Sequence, residues 1–245
     1  MTEFPIYVGC AGWSIPRQHA GRFPAEGSHL ERYARTLPAV EINSSFYRSH
    51  QPATYARWAA SVPDGFRFSV KVPKTVTHAR WLADSTELID RFLGEVRELG
   101  DRLGPLLVQL PPSFPFQRGR VESFFAMLRD RFAGDVVCEP RHPTWFTQEP
   151  DAMLVRFRVA RAAVDPGEGR PGGWSGLVYH RLHGSPDMYH SDYEPDRLAA
   201  IVAAVRADAG RAPVWCIFDN TALGHATANA CNVWMELYSD SVKGR

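Results

Sequence analysis

Long apolar runs are absent from this chain. Nothing in its 245 residues approaches the roughly 20 apolar positions that a membrane-spanning helix needs, so no membrane span is predicted. An excess of one charge sign is also missing. The formal net charge of +1 provides no overall basic field for nucleic acid or an anionic membrane, though a local basic patch remains compatible with it. Cysteine is scarce: Cys10, Cys138, Cys216 and Cys231 are the full set, and none forms a CxxC pair. Three of them fall in strand-like runs, which predicts buried free thiols in a reducing compartment. The opening MTEFPIYVGC lacks the basic segment and apolar core of a secretion signal, so a cytoplasmic location is expected. No serine- or glycine-rich linker, charge block or repeat divides the chain, and residues 1–245 read as one domain. Common catalytic signatures are lacking as well: there is no GxSxG elbow, Walker loop, GxGxxG turn or HExxH helix.

What is present is an alternation. Apolar residues make up 44% of the chain, enough for a sizeable core. Short apolar runs occur at 6–8, 39–42, 66–72, 106–110, 136–139, 160–164, 177–183 and 214–218, most of them followed by a helical pattern. Leu88, Ile89, Phe92, Leu93, Val96 and Leu99 form one apolar stripe, with Asp84 or Ser85 as candidate cap. Val121, Phe124, Phe125 and Leu128 form a second, and Leu198, Ile201, Val202 and Val205 a third. A last helix is expected over 222–238. Residues 13–27 read as an irregular first loop, and GEGRPGGWSG at 167–176 as a mobile one. Eight strand–helix units in this length predict a closed (β/α)8 barrel of TIM type, an α/β fold whose chemistry sits where the strands end.

Strand alternation sorts the side chains. Val40 and Ile42 oppose Glu41; Phe68, Val70 and Val72 oppose Ser69 and Lys71; Leu106, Val108 and Leu110 oppose Gln109. Val136 and Cys138 oppose Glu139 and Arg141, Val178 and Leu182 oppose Arg181 and His183, and Cys216 and Phe218 oppose Asp219. A charge packed against an apolar helix layer is costly unless paired, so the charged parity is assigned to the barrel interior, near its wetter end. That assignment brings the charged residues of six strands into one pocket.

Several segments resemble a known family. VEINSSFYR at 40–48, FSVKVPKTVTH at 68–78, LLVQLPPSF at 106–114, CEPRHPTW at 138–145, YHRLHG at 179–184 and FDNTALGHATANA at 218–230 are similar to the YecE-like family, domain of unknown function 72. The likeness runs in consistent order from GCAGW at 9–13 to the final helix. It implies a TIM-like barrel and supplies no activity.

The pocket inventory is mixed. Glu41, Glu139 and Asp219 stand against Lys71, Arg141 and Arg181, with His183 titratable and His142 and His78 just beyond strand ends. Metal pockets usually concentrate carboxylates and imidazoles without rival cations. The near balance here points to an anionic small molecule, phosphate or carboxylate, held by Lys71, Arg141 and Arg181. Glu139 and His183 are the candidate acid/base pair, with Glu41 and Asp219 as further catalytic candidates. Gln109, Asn43, Asn220 and His142 are candidate polar contacts, while Trp13, Phe46, Tyr47 and Trp145 are placed to line the mouth and stack on a sugar or base. A hydrolase and an isomerase or lyase both fit. Lys71 would serve pyridoxal phosphate, but no other feature supports it and no cofactor is specified.

Two other functions stay open. A divalent-metal phosphodiesterase or nuclease would draw ligands from Glu41, Glu139, His142, Asp165, His183 and Asp219, with Arg17, Arg22, Lys74 and Arg80 as a basic rim for nucleic acid; this rests on fold analogy. A non-catalytic anion-binding protein would use the same binding residues. A salt-bridge network that merely plugs the barrel is the structural alternative to all three.

Overall fold

The structure is a computed structural model that describes residues 4–167 and 169–243. Strands and helices alternate as the pattern predicts. The order is β1 (Ile6–Cys10), α1 (His29–Ala34), β2 (Ala39–Ile42), α2 (Pro52–Ala60), β3 (Arg67–Lys71), α3 (Thr86–Val96) and β4 (Leu103–Gln109). Then follow α4 (Arg118–Arg131), β5 (Val136–Glu139), α5 (Gln148–Arg156), β6 (Val159–Arg161), β7 (Ala163–Asp165) and β8 (Gly172–Gly173). The chain closes with β9 (Val178–Leu182), α6 (Pro195–Ala209), β10 (Val214–Phe218) and α7 (His225–Lys243). Among the described residues no helix is long and apolar enough to cross a membrane.

The strands form two sheets in the order β2-β3-β4-β5-β6-β8 and β1-β10-β9-β7, parallel except for the β6–β8 pair. Helices cover their outer faces, and β2, β5, β9 and β10 are buried at every position. Parallel strands covered on both faces are continuously apolar, apart from the polar positions considered below. The expected sixth strand is split. Val159–Arg161 pairs with β5 and Ala163–Asp165 pairs with β9, while Ala162 N–H still donates to the Cys138 carbonyl at 2.9 Å. One short run thus serves both sheets.

Two apolar clusters result. The larger lies between strands and helices and includes Val40, Val70, Leu106, Val108, Val136 and Cys216 together with the three helix stripes. The smaller is made mainly by strand residues of opposite parity, among them Ala39, Leu107, Val137, Ala160, Tyr179, Trp215 and Ile217. Tyr179 stacks on Trp215 at 6.0 Å, and Trp215 meets Tyr7 at 4.8 Å. This inner cluster is the floor on which the polar side chains of the same parity stand.

Three local expectations need correction. Ser85 does occupy the position before α3, but its hydroxyl donates to the Ala83 carbonyl at 2.8 Å instead of capping the helix. The last helix starts at His225, three residues late, because Gly224 turns the chain at a φ of 83° with its N–H on the Thr221 carbonyl. The glycine-rich 167–176 segment is partly tied down: Gly172 and Gly173 pair antiparallel with β6, and the Arg158 guanidinium lies 5.1 Å from the Trp174 ring. The first loop is irregular as expected, holding only a short 3-10 turn over Arg17–Arg22.

The junction of β1 and β2 depends on a side chain. A single bridge joins Ala11 to Glu41, and below it the α1 residue Tyr33 reaches between the strands. Its hydroxyl accepts from Cys10 N–H at 2.8 Å and donates to the Ala39 carbonyl at 3.0 Å. Gly9 allows the approach, since a Cβ there would stand 2.0 Å from the Ala39 oxygen. A buried polar group left without a partner costs roughly 1–3 kcal/mol. Tyr33→Phe is therefore expected to destabilise by about that amount in urea unfolding. It should also speed amide exchange at Cys10, and unchanged exchange there would refute the role.

Candidate functional site

The polar parity converges on one fully buried group, the Arg181 guanidinium of β9. Glu41 of β2 binds it two-pronged, with Oε1 2.8 Å from Nη2 and Oε2 3.0 Å from Nε. Glu139 of β5 places Oε2 3.1 Å from Nη1, and Asp219, just past β10, places Oδ2 2.9 Å from Nη2. Three carboxylates from three strands surround one cation. From the floor, the Tyr179 hydroxyl reaches both Glu41 Oε2 and Ser69 Oγ at 2.9 Å.

Glu139 links this layer to the next. Its Oε1 accepts from Gln109 Nε2 at 2.9 Å and from Arg141 Nε and Nη2 at 3.0 and 2.8 Å. Burial pushes the Glu139 carboxyl up, but Arg181, His183 and Arg141 outweigh that and hold it well below the usual carboxylate range. Asp219 behaves alike: burial raises it, and Arg181, His183 and Lys71 bring it below its ordinary value. Burial also opposes charge on Arg181, yet Asp219, Glu41 and Glu139 together keep it firmly ionised.

His183 lies between these groups and is fully buried. Its Nε2 is 3.2 Å from Arg141 Nη2 and 3.4 Å from Arg181 Nη1, and its Nδ1 is 3.1 Å from Asp219 Oδ2. Guanidinium groups only donate, so toward them Nε2 can serve only as an acceptor, while the Glu139 Oε1 carboxylate oxygen lies 3.5 Å from the same nitrogen. That Nδ1 contact meets the distance of a hydrogen bond but not its direction.

Lys71 stands apart. Its Nζ sits 4.2 Å above the Phe46 ring, and the residue is 5% exposed. Burial lowers its pKa to about 8; Arg181 adds to the effect, and Glu41, Glu139 and Asp219 oppose it.

Arg141 borders a cavity of about 580 Å³ lined by Pro112, Pro140, Pro143, Phe146, Val164, Pro166, Gly167 and Met188. It is the one charged group among the described lining residues. Glu139 fixes its Nε and Nη2, while Nη1 has only the Met188 sulfur, at 3.7 Å.

The expected site residues therefore divide. Glu41, Gln109, Glu139, Arg141, Arg181, His183 and Asp219 form one bonded network, with Lys71 beside it. Trp13 packs edge-on against Trp58 at 5.0 Å, in the outer apolar cluster. Trp145 is fully buried, its indole donating to the Phe114 carbonyl. Tyr47 is exposed, with Lys74 Nζ 5.8 Å from its ring. His142 caps its own turn, accepting from Thr144 N–H at 3.3 Å. Asn220 holds the Ser191 carbonyl and Asn229, joining α7 to the loop after β9. Asn43 precedes a 3-10 turn over Ser44–Phe46, with its Oδ1 buried and unpartnered. Besides Tyr179, two participants beyond the strands were not anticipated. Met188 touches Arg141, and the Tyr189 hydroxyl lies 3.3 Å from Arg141 Nη2 with its ring edge-on to His183 at 5.3 Å. Both come from a loop without periodicity, where pattern reading has no signal.

Of the six suggested metal ligands four gather around Arg181 and two do not. Asp165 pairs with Arg197 at 3.0 Å, and His142 faces its own turn. Glu41, Glu139 and Asp219 already share Arg181, and among the described residues no group of three His, Cys, Asp or Glu is placed to hold a metal ion. The four cysteines are free and buried; burial lifts the Cys10 thiol to about 12 and raises the other three, so none is a ready thiolate.

Removing Arg181 would strand three buried carboxylates, and breaking a buried ion pair in this way costs about 3–5 kcal/mol. Arg181→Met should show that loss near neutral pH. The depressed carboxylates of the native protein contribute stability above their ordinary pKa values and lose it as pH falls through the lowered ones. In the variant they rise and protonate earlier, so the gap to wild type should narrow toward about pH 4. A pH-independent gap would contradict this account. Lys71 works in the opposite sense. Its cost is fully present below about pH 8 and disappears once pH passes its ordinary value of 10.5, so Lys71→Met should stabilise at neutral pH by up to about 3 kcal/mol. Paired thermal melts at neutral and high pH check both the sign and the window.

Comparison with known proteins places the chain. Residues 7–243 match the family model described as "Protein of unknown function DUF72". The UPF0759 protein YecE of Escherichia coli K12 is 33% identical over 161 residues, and the UPF0759 protein YunF of Bacillus subtilis 168 is 28% identical over 170. These matches take in 65% of this chain but only 57% and 58% of the two relatives' own lengths. The crystal structure of a DUF72 protein from Thermotoga maritima superimposes with a TM-score of 0.81 at 24% identity, covering 96% of this chain and 99% of that one. One from Enterococcus faecalis gives 0.80 at 24%, with 95% of each covered. With the fold shared over almost its full length and the family model matched from the first strand to the last helix, the chain belongs to the DUF72 family.

Proposed function

We propose that the chain folds as one domain, a closed eight-stranded (β/α)8 barrel of TIM type, and acts as an enzyme on a small molecule bearing phosphate or carboxylate. Ring closure is supported at both sheet boundaries. β1 meets β2 through the Ala11–Glu41 bridge and Tyr33, and the 159–165 run faces β5 with one half and β9 with the other. The polar network then stands at the C-terminal strand ends, where barrels of this type carry their chemistry. The four buried free thiols suit a reducing cytoplasm.

The observation that carries the reading is Arg141. Glu139 pins one side of its guanidinium, and the residue borders a cavity of about 580 Å³ whose other described walls are apolar or backbone. A planar cation held rigid at the edge of an apolar pocket recognises a carboxylate or phosphate and leaves room for its body. Glu139 and Glu41 are saturated with donors, so they orient cations instead of moving protons. Proton transfer falls to His183, with Asp219 orienting Nδ1, once an entering ligand displaces Tyr189 from over the ring. Such transfer serves a hydrolytic step as well as an isomerase or lyase step. The metal-dependent reading has less support, because the carboxylates it needs are engaged by Arg181.

The test is a panel of phosphorylated and carboxylated metabolites screened by thermal shift and followed by titration calorimetry. At least one should stabilise the protein. Arg141→Ala should weaken its binding by about 10–100-fold, the worth of a hydrogen-bonded charge contact, and stay folded because Arg181 and Gln109 still hold Glu139. His183→Gln should keep binding and lose turnover. Binding without turnover in the wild type would convert the protein to an anion sensor, and a panel without any binder would overturn the anion reading.

A further inference from the structure

Lys71 is an anomaly of composition and of environment. Of the chain's 28 basic residues only three are lysines, Lys71, Lys74 and Lys243. Arginine serves everywhere else, including each buried ion pair of the site. Where a cation is needed only for charge, guanidinium does the work in this protein. An amine kept at the end of β3 offers something guanidinium lacks, a nitrogen that gives up its proton and attacks carbon.

The surroundings agree. Among the described residues the Lys71 amine has no hydrogen bond and no ion pair; its one close partner is the face of Phe46. A buried lysine held for structure is ordinarily paired with a carboxylate, since an unpaired buried charge is costly. Glu41, Glu139 and Asp219 are near enough to act on it through space, yet all three are committed to Arg181. Nor is the residue completely sealed off, since 5% of its surface remains exposed. His78 connects it to the anion site. That imidazole packs on Phe46 at 5.0 Å, and burial, Lys71 and Arg141 together lower its pKa. Lys71 and Arg141 thus both act on the same histidine through space, and Glu139, which binds Arg141 directly, acts on Lys71 as well.

We propose that Lys71 is a Schiff-base nucleophile and that the anionic substrate held by Arg141 is a carbonyl compound, an aldehyde or ketone bearing carboxylate or phosphate. This rests on the anion-binding reading above and specifies its substrate class. In the step, the neutral Lys71 nitrogen forms a bond to the carbonyl carbon, and the C=O π pair moves to oxygen to give a carbinolamine. The nitrogen lone pair then forms C=N as the C–O bond breaks. The carbonyl oxygen leaves as water with the two hydrogens of the amine, so no oxidant or other reactant is consumed. Protonated, the resulting imine withdraws electrons from the adjacent carbon, which is what bond cleavage or enolisation next to a carbonyl requires. The burial that brings the amine to about 8 puts roughly half of it in the neutral form at that pH, against under about 1% for an ordinary lysine. Arg181, Glu41, Glu139, Asp219 and His78 are the charged and titratable groups that set this value or share its environment.

The experiment uses the full chain at pH 8 with sodium cyanoborohydride, which traps imines as stable secondary amines. Glyoxylate is the anionic probe and glycolaldehyde its uncharged counterpart. Labelling is read by peptide mass spectrometry, where three lysines and the N-terminus make every site resolvable. Glyoxylate should label Lys71 at least about tenfold faster than Lys74 or Lys243, in keeping with its larger neutral fraction. Lys71→Arg, which keeps the charge, should abolish that fast phase while leaving the protein folded. Arg141→Ala should reduce the preference for glyoxylate over glycolaldehyde at Lys71. If Lys71 labels no faster than Lys74 while an Arg141-dependent anion still stabilises the protein, the amine proposal falls and the anion site stands. If Lys71 labels fast but equally with both probes, and Arg141→Ala changes nothing, the nucleophile stands and the anion site falls.

Discussion

The buried guanidinium of Arg181 is the interaction on which the rest of the site depends. A charge with no exposure to water is tolerable only when counter-charges and hydrogen bonds surround it. Here they come from Glu41, Glu139 and Asp219, at the ends of three other strands. Satisfying one side chain therefore requires β2, β5, β9 and β10 to be in correct register together. A slip of one residue in any of them would turn its polar group toward the helices and break the cluster. The floor supports the same arrangement, since Tyr179 carries the Glu41 carboxylate from below and is itself stacked on Trp215.

Above Arg181 the charge is less evenly compensated. Glu139 faces both ways, toward Arg181 with one oxygen and toward Gln109 and Arg141 with the other. It passes the rigidity of the interior on to a guanidinium at the cavity edge. His183 reads both layers, with donors at Nε2 and a carboxylate at Nδ1. Lys71 is the group that this order leaves unpaired. Its amine is held against an aromatic ring, beside carboxylates already engaged elsewhere.

Pattern alone located most of this. Parity within six strands selected Glu41, Lys71, Gln109, Glu139, Arg141, Arg181, His183 and Asp219, because a period of two admits only two faces and one of them had to meet the apolar helices. The residues misplaced by that reading lie beyond strand ends, where no period applies. His142, Trp13 and Trp145 sit in loops or short turns, and their chemistry suited a pocket mouth equally well. Local contacts decided otherwise: a turn cap for His142, an indole hydrogen bond for Trp145, Trp58 for Trp13. Tyr189 and Met188 escaped notice for the same reason.

What the sequence determined by itself was the alternation of strands and helices and the division of each strand into an apolar and a polar face, since both follow from local periodicity and the cost of burying charge. Its pairings were decided only in three dimensions. Whether three carboxylates would bind a metal, a substrate or an arginine depends on distances between strands as far apart in the chain as Glu41 and Asp219. The same holds for the split of the sixth strand, the Tyr33 hydroxyl between β1 and β2, and the solitude of Lys71. Each depends on which distant groups arrive within about 3 Å, the length of a hydrogen bond, and no residue pattern along the chain encodes that distance.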